Sequence, residues 1–185
     1  MTTSINAALI EFRKLYPKVK VHVSSGPARA VHAALLAGEA DLGILVDHHR
    51  LTNCGSKTLA QGKFLLVKKP QSKLTLHDGV IVTSENKVEV EHLSRNIRKA
   101  SKQKQELNIE MEVMSWTLIK SLVLKTSAIG YMPDYMVRDE LAAKKLAIVA
   151  SPGTPFDYEI KAAWSEDRPL HRNAELFLSQ IELVC

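Results

Sequence analysis

No apolar run in this chain approaches the roughly 18 residues that a membrane-spanning helix needs. Glu11, Arg13 and Lys14 also fall where a secretion signal keeps an unbroken apolar centre. Both absences argue against export or membrane insertion and for a cytoplasmic protein. Cysteine is scarce: Cys54 and the terminal Cys185 are the only two. They lie far apart, with no CxxC or zinc spacing, so both thiols are expected free in a reducing compartment. Common catalytic motifs are missing as well, with no GxSxG elbow, HExxH, Walker loop or GxGxxG. His48 and His49 are neighbours that point to opposite sides of an extended chain, and no spaced third ligand accompanies them. Neither a metal nor any other cofactor is expected. No repeat or low-complexity tract is present.

What the chain does have is enough apolar material for a core. Its 185 residues are 45% apolar and 24% charged, sufficient for one large domain or two small lobes. A net charge of +5 and a pI near 9.2 raise the question of nucleic acid, because cations that neutralise phosphates release counterions. The excess is partly local. Arg95, Arg98, Lys99, Lys102 and Lys104 follow one another without an acid, and the first four share a helical face. Glu89 and Glu91 precede them in the same predicted helix, as in a solvated helix that complements its own dipole. A solvated face is therefore favoured over a phosphate contact.

Periodicity lays out the elements. Ile5, Ala8, Leu9, Phe12 and Leu15 recur at helical spacing, and Pro17 ends that helix near Tyr16. Val19, Val21 and Val23 alternate with Lys18, Lys20 and His22, which predicts a strand. Pro27 opens and Gly38 closes a second helix, and the apolar run Leu42–Val46 suits a strand covered on both faces. A strand around Phe64–Val67 is followed by Lys-Lys-Pro-Gln-Ser, after which the pattern restarts. Strands are then predicted at Val80–Val82, at Ile109, Met111 and Val113, and at Ser127–Met132. Helices are predicted at 88–104, at Trp116–Lys125 and, opened by proline, at Pro133–Lys144. A late strand near Tyr158–Trp164 and a helix near Leu170–Leu183 complete the chain. The expected fold is α/β, with helices on both faces of mostly parallel sheets in two lobes, 1–68 plus 149–185 and 69–148.

In such folds ligands lie beyond the carboxyl ends of the strands, so the strand-to-helix loops are the place to look. Each carries hydroxyls: Thr2, Thr3 and Ser4; Ser24 and Ser25; Thr83 and Ser84; Ser115 and Thr117 around Trp116. Helix capping explains any one of them. Their convergence favours a ligand, because helix N-termini aimed at one crevice offer free N–H groups to an anion such as a small carboxylate. Arg29 could pair with such a ligand, although a solvated role is at least as good an explanation. Trp116 and Met114 are expected in the core rather than on a stacking platform.

The stretch 7–46 contains Phe12-Arg-Lys-Leu-Tyr-Pro17 and Leu36-Ala-Gly-Glu-Ala-Asp-Leu42, and later come Leu122-Val123 and Ala128-Ile-Gly-Tyr-Met-Pro133. Taken together these resemble the effector-sensing domain of LysR-type transcriptional regulators along essentially the whole chain. The resemblance implies two Rossmann-like lobes joined by crossing strands, as in type 2 periplasmic binding proteins, with an effector in the cleft. By position it places effector contacts on Thr2, Thr3 or Ser4 and on Thr83 and Ser84, with Ser115 and Trp116 on the second-lobe wall. Ser25 is a further candidate from its loop.

The departures from the family pattern are specific. The winged helix-turn-helix, the linker helix and the first strand that precede the first helix in the family are not seen here. A Ser or Thr that often starts the second helix is Ala28. The Gly-x-Gly ahead of a late strand is Thr126-Ser-Ala128, where a left-handed cap would cost roughly 1 kcal/mol per position, so a different turn is expected. The resemblance implies a non-enzymatic domain that binds a small-molecule effector and forms a homodimer or homotetramer. Pairing would be antiparallel through Ile5–Leu15 and Val88–Ala100, and promoter DNA would be reached only through an N-terminal domain outside this chain. The alternatives are a stand-alone solute-binding protein, which would need an export signal, and a small lyase or dehydratase, for which Glu85 is the obvious loop carboxylate.

Overall fold

In the computed structural model, which describes residues 2–47, 51–84, 87–101 and 106–182, chain contacts define two units. One holds the residues up to Gln61 and from Tyr158 onward, and the other is Gly62–Asp157. Among the described residues the fold is mixed α/β with six α-helices and seven strands, and the strand path runs β1-β7-β2-β5-β3-β4, with β6 beside β2.

The first unit begins with α1 (Thr2–Leu15) and α2 (Ala28–Ala37), followed by β1 (Gly43–Asp47) and the start of β2 (Cys54–Lys68). It ends with β7 (Asp157–Ser165) and α6 (Arg172–Glu182). The apolar stripe of α1 buries Ala8 and Phe12, and Phe12 meets Phe177 of α6 edge-on at 5.2 Å. Gly38 ends α2 with φ +74, a left-handed conformation that glycine adopts without strain. The Arg168 guanidinium lies over Gly38, where a Cβ would collide with it, and donates to the Ala37 carbonyl at 3.3 Å. Leu35, Leu45, Cys54 and Ala163 form the core that β1 and β7 build as antiparallel neighbours. Burial, helped by Glu166 and Asp167, raises the Cys54 thiol pKa, so this free thiol stays protonated. Cys185 lies outside the described residues.

Residues 19–23 are not a strand. They run as irregular chain with Val21 and Val23 43% and 67% exposed. Alternating valines suit a pleated surface, but a strand exists only where another backbone accepts and donates its ladder bonds. Among the described residues no strand pairs with this segment.

The second unit holds the rest of β2, then β3 (Val80–Thr83), α3 (Val88–Ala100), β4 (Ile109–Val113) and α4 (Trp116–Lys125). After these come β5 (Ile129–Pro133), a 3-10 turn at Asp134–Met136, α5 (Arg138–Ala142) and β6 (Ala147–Ile148). β3 pairs in parallel with β4 and with β5, while β1–β7, β2–β5 and β2–β6 are antiparallel. The sheet is therefore mixed rather than mostly parallel. The helix expected from Pro133 is divided, because Pro133 still belongs to β5, paired with Phe64, and Val137 is buried with a non-helical φ of −124. At Thr126 the turn is the non-glycine kind expected. The residue is extended, and its hydroxyl donates to Leu122 O at 2.8 Å and accepts from Ala128 N at 3.1 Å.

Helix α4 lies on the sheet through Ile119 and Val123, both fully buried. Gly130 makes the approach possible, since a Cβ there would sit 2.7 Å from Ile119 Cγ2, Val123 Cγ2 and Met132 Cε. On its outer side Lys120 donates to Glu140 of α5 at 2.9 Å. Burial pushes the Glu140 carboxyl up, but the hydrogen bond and charge of Lys120 outweigh it and hold the pKa below its ordinary value. A lowered carboxyl pKa contributes stability above the unfolded-state value and loses it as the pH falls through the folded one. Gly130→Ala is expected to lower unfolding stability by about 1–3 kcal/mol through overpacking, checked by urea denaturation with an unchanged m-value.

Candidate functional site

Parallel pairing sets β3 and β4 side by side with their carboxyl ends together. Thr83 lies opposite Val113, and the Ser84 N–H donates to Val113 O at 3.0 Å. The chain leaves β3 through Thr83 and Ser84 and leaves β4 through Met114 and Ser115, so two hydroxyl-bearing exits share one sheet edge. Thr83 is buried at 4% exposure, Ser84 is half-buried and Ser115 is exposed. Ser115 is the N-cap of α4, and its Oγ accepts from Leu118 N at 3.3 Å. The first turn of any helix has amide N–H groups with no intrahelical acceptor, and the cap occupies one of them.

Trp116 opens α4. Its ring meets Phe64 edge-on at 5.8 Å and Tyr135 at 6.4 Å, while its indole Nε1 is buried without a hydrogen-bond partner. Leaving a buried donor unmade costs about 1–3 kcal/mol, so an acceptor arriving here recovers that energy. The start of α4 thus combines a buried, orphan indole N–H with a capping serine hydroxyl and the positive end of a helix. Such a set suits an oxygen acceptor with negative charge.

The other candidates lie elsewhere. Thr2, Thr3 and Ser4 are in the first turn of α1, and Ser25 is exposed in the irregular stretch before α2, all in the first unit. Arg29 is exposed on α2, and Ala28 opens that helix behind Pro27, with no side-chain cap. His48, His49, Glu85, Lys102 and Lys104 lie outside the described residues. Met114 is 65% exposed rather than in the core, because it sits in the turn outside the packed face of α4.

One residue was not foreseen. Glu89, expected on a solvated face, is 1% exposed in the first turn of α3. A carboxylate there is favoured by the helix dipole, which compensates for lost water. Burial, with the Glu89 charge adding to it, raises the Tyr131 pKa well above its ordinary value and keeps that phenol protonated. Glu89 is at the inward position one before Val90, and the helical period alone could have suggested its burial.

The family model of the LysR substrate binding domain matches residues 2–184. The chain belongs to this family. Solved structures agree on the fold. The reduced form of the OxyR2 regulatory domain from Vibrio vulnificus superposes with a TM-score of 0.67 at 18% identity, covering 98% of this chain and 87% of that one. The bromide-bound HypT regulatory domain from Salmonella typhimurium gives 0.70 at 15% identity, covering 94% and 87%. HinK, a LysR family transcriptional regulator from Pseudomonas aeruginosa, gives 0.70 at 17% identity; 96% of this chain is covered but only 64% of HinK. Comparison with curated proteins gives no match. As a LysR substrate binding domain the chain is similar to the regulatory portions of transcription factors. Among its described residues no helix is long and apolar enough to cross a membrane. In this domain Ser115→Ala is expected to cost about 1 kcal/mol of stability through the lost cap, with Ser115→Asp neutral or stabilising, as read by thermal unfolding.

Proposed function

We propose that this domain senses a small anionic metabolite, with Thr83, Ser84, Ser115 and Trp116 as the contacts in the second unit, and that it acts in transcription without catalysis. The supporting observation is the buried, unpartnered Trp116 Nε1 beside the capped start of α4. Thr2, Thr3, Ser4 and Ser25 are the proposed contacts from the first unit. The ligand acts by binding one arrangement of the domain or its oligomer better than another, and only that difference in affinity shifts the equilibrium. Promoter contact belongs to a DNA-binding part outside residues 1–185.

The test is a thermal-shift screen of small carboxylates and amino acids against their neutral amides. A carboxylate is expected to raise the melting temperature where its amide does not. Trp116→Phe and Ser84→Ala are each expected to weaken binding about 10-fold or more, the loss of one hydrogen bond to a charged group, with little change in the melting of the free protein. Equal shifts with both variants would remove these residues from the site.

The proposed oligomer is an antiparallel homodimer, or a homotetramer built from it, through Ile5–Leu15 and Val88–Ala100. On the first of these helices Ile10 and Leu15 are 56% and 57% exposed. Light scattering at high micromolar concentration should give twice or four times the 20.6 kDa chain mass, and Ile10→Glu should return it toward a monomer. A wild-type monomer would contradict the pairing.

A further inference from the structure

The second unit also contains a recess of about 140 Å³ between β2, α3 and residues 148–156. It includes none of the hydroxyl residues of the candidate site. Its floor is Phe64, Leu66, Leu93 and Tyr131, each 5% exposed or less, and Phe156 and Pro155 form a wall. Among the described residues no lysine, arginine, aspartate or glutamate lines it.

The wall is built in place by specific bonds. Val149 N donates to Leu66 O and Phe64 N to Phe156 O, both at 2.8 Å, which ties the loop to β2 at its two ends. Between them the Thr154 carbonyl receives Asn96 Nδ2 at 2.9 Å and lies 3.0 Å from His92 Nε2, both on α3. Gly153 has φ +74 and passes so close to Asn96 that a Cβ would meet its amide carbon at 2.7 Å. Two polar side chains at the rim, His92 and Asn96, are therefore committed to holding the loop, and the surface left inside is mainly apolar, with the hydroxyl residues Ser151, Thr154 and Tyr131 also in the lining. The Tyr131 phenol stays neutral, as burial and Glu89 require.

The rings are arranged as well as buried. Phe64 packs against Tyr131 at 5.2 Å and against Phe156 at 5.7 Å, the latter edge-to-face, and His92 meets Phe156 edge-to-face at 5.4 Å. Aromatic rings favour such offset and edge-on neighbours, so a further ring entering the recess finds suitable partners. In size, a dry cavity of about 150 Å³ lined by apolar side chains accepts a benzene ring.

We propose that this recess is a binding site for a small uncharged molecule carrying one aromatic ring, separate from the hydroxyl-lined sheet edge. Such a ligand would contact both β2 and the first half of α3.

Toluene is the probe, titrated into the whole chain and followed by aromatic and methyl NMR. Expected are saturable shifts at Phe64, Tyr131 and Phe156, and at least 10-fold weaker binding to Ala150→Phe and Ile148→Trp, which fill the mouth. Thermal unfolding establishes that each variant is folded, and either folded variant suffices. The absence of a saturable response in the folded wild type would overturn the proposal. So would unchanged binding by a folded mouth-filling variant. A second copy of the chain in the recess is a further overturning outcome, shown if Ala150→Phe dissociates the oligomer and toluene binds only to monomer. The carboxylate screen is scored against neutral amides and through Trp116→Phe and Ser84→Ala, whereas the toluene titration is scored through Ala150→Phe and Ile148→Trp, so either proposal can fail without the other.

Discussion

The close approach of α4 to β5 at Gly130 is the contact from which the candidate site follows. Ile119 and Val123 occupy the space that a side chain at position 130 would need, and this brings the helix flat onto the sheet. The start of the helix then falls beside the carboxyl ends of β3 and β4, where Ser84 and Ser115 emerge. Lys120 and Glu140 hold the opposite side of the same helix. A packed interface of branched apolar side chains has few alternative arrangements, so the direction of the α4 dipole is settled by the core and not by the loop that displays it.

This arrangement keeps one polar group unsatisfied. The Trp116 Nε1 is buried without an acceptor while the ring is held by Phe64 and Tyr135. Buried donors in folded proteins are almost always paired, and an exception calls for an explanation. The explanation proposed above is an acceptor brought by a ligand, placed where a helix N-terminus favours negative charge. The Tyr131 phenol and the Cys54 thiol, by contrast, remain neutral through burial and acidic neighbours, and are not poised for nucleophilic chemistry.

Local signals were sufficient wherever local physics decides the structure. Ser115 and Lys125 mark both ends of α4, Gly38 stops α2, and Thr126 makes the extended turn that a residue with a Cβ requires. The hydroxyl exits of β3 and β4 were equally visible, because hydroxyl residues flanking helix starts stand out in the linear pattern. Residues 19–23 show where this stops. Their alternation is that of a strand, yet pairing depends on a backbone distant in sequence. Glu89 and Met114 exchanged their expected environments for a similar reason: burial is decided by what packs over a side chain, which composition does not record. The recess beside α3 was not visible at all, since its walls come from β2, α3, β5 and the 148–156 loop, and only the tertiary fold brings them together.

The chain has two tryptophans, and they belong to different units. Trp116 stands at the start of α4, and Trp164 on β7 lies against Gly55, where a Cβ would come within 2.6 Å of its indole nitrogen. Indole emission responds to the polarity and hydrogen bonding around its nitrogen. The protein therefore contains two intrinsic optical reporters in distinct surroundings, and the one at the candidate site has an N–H still free to respond.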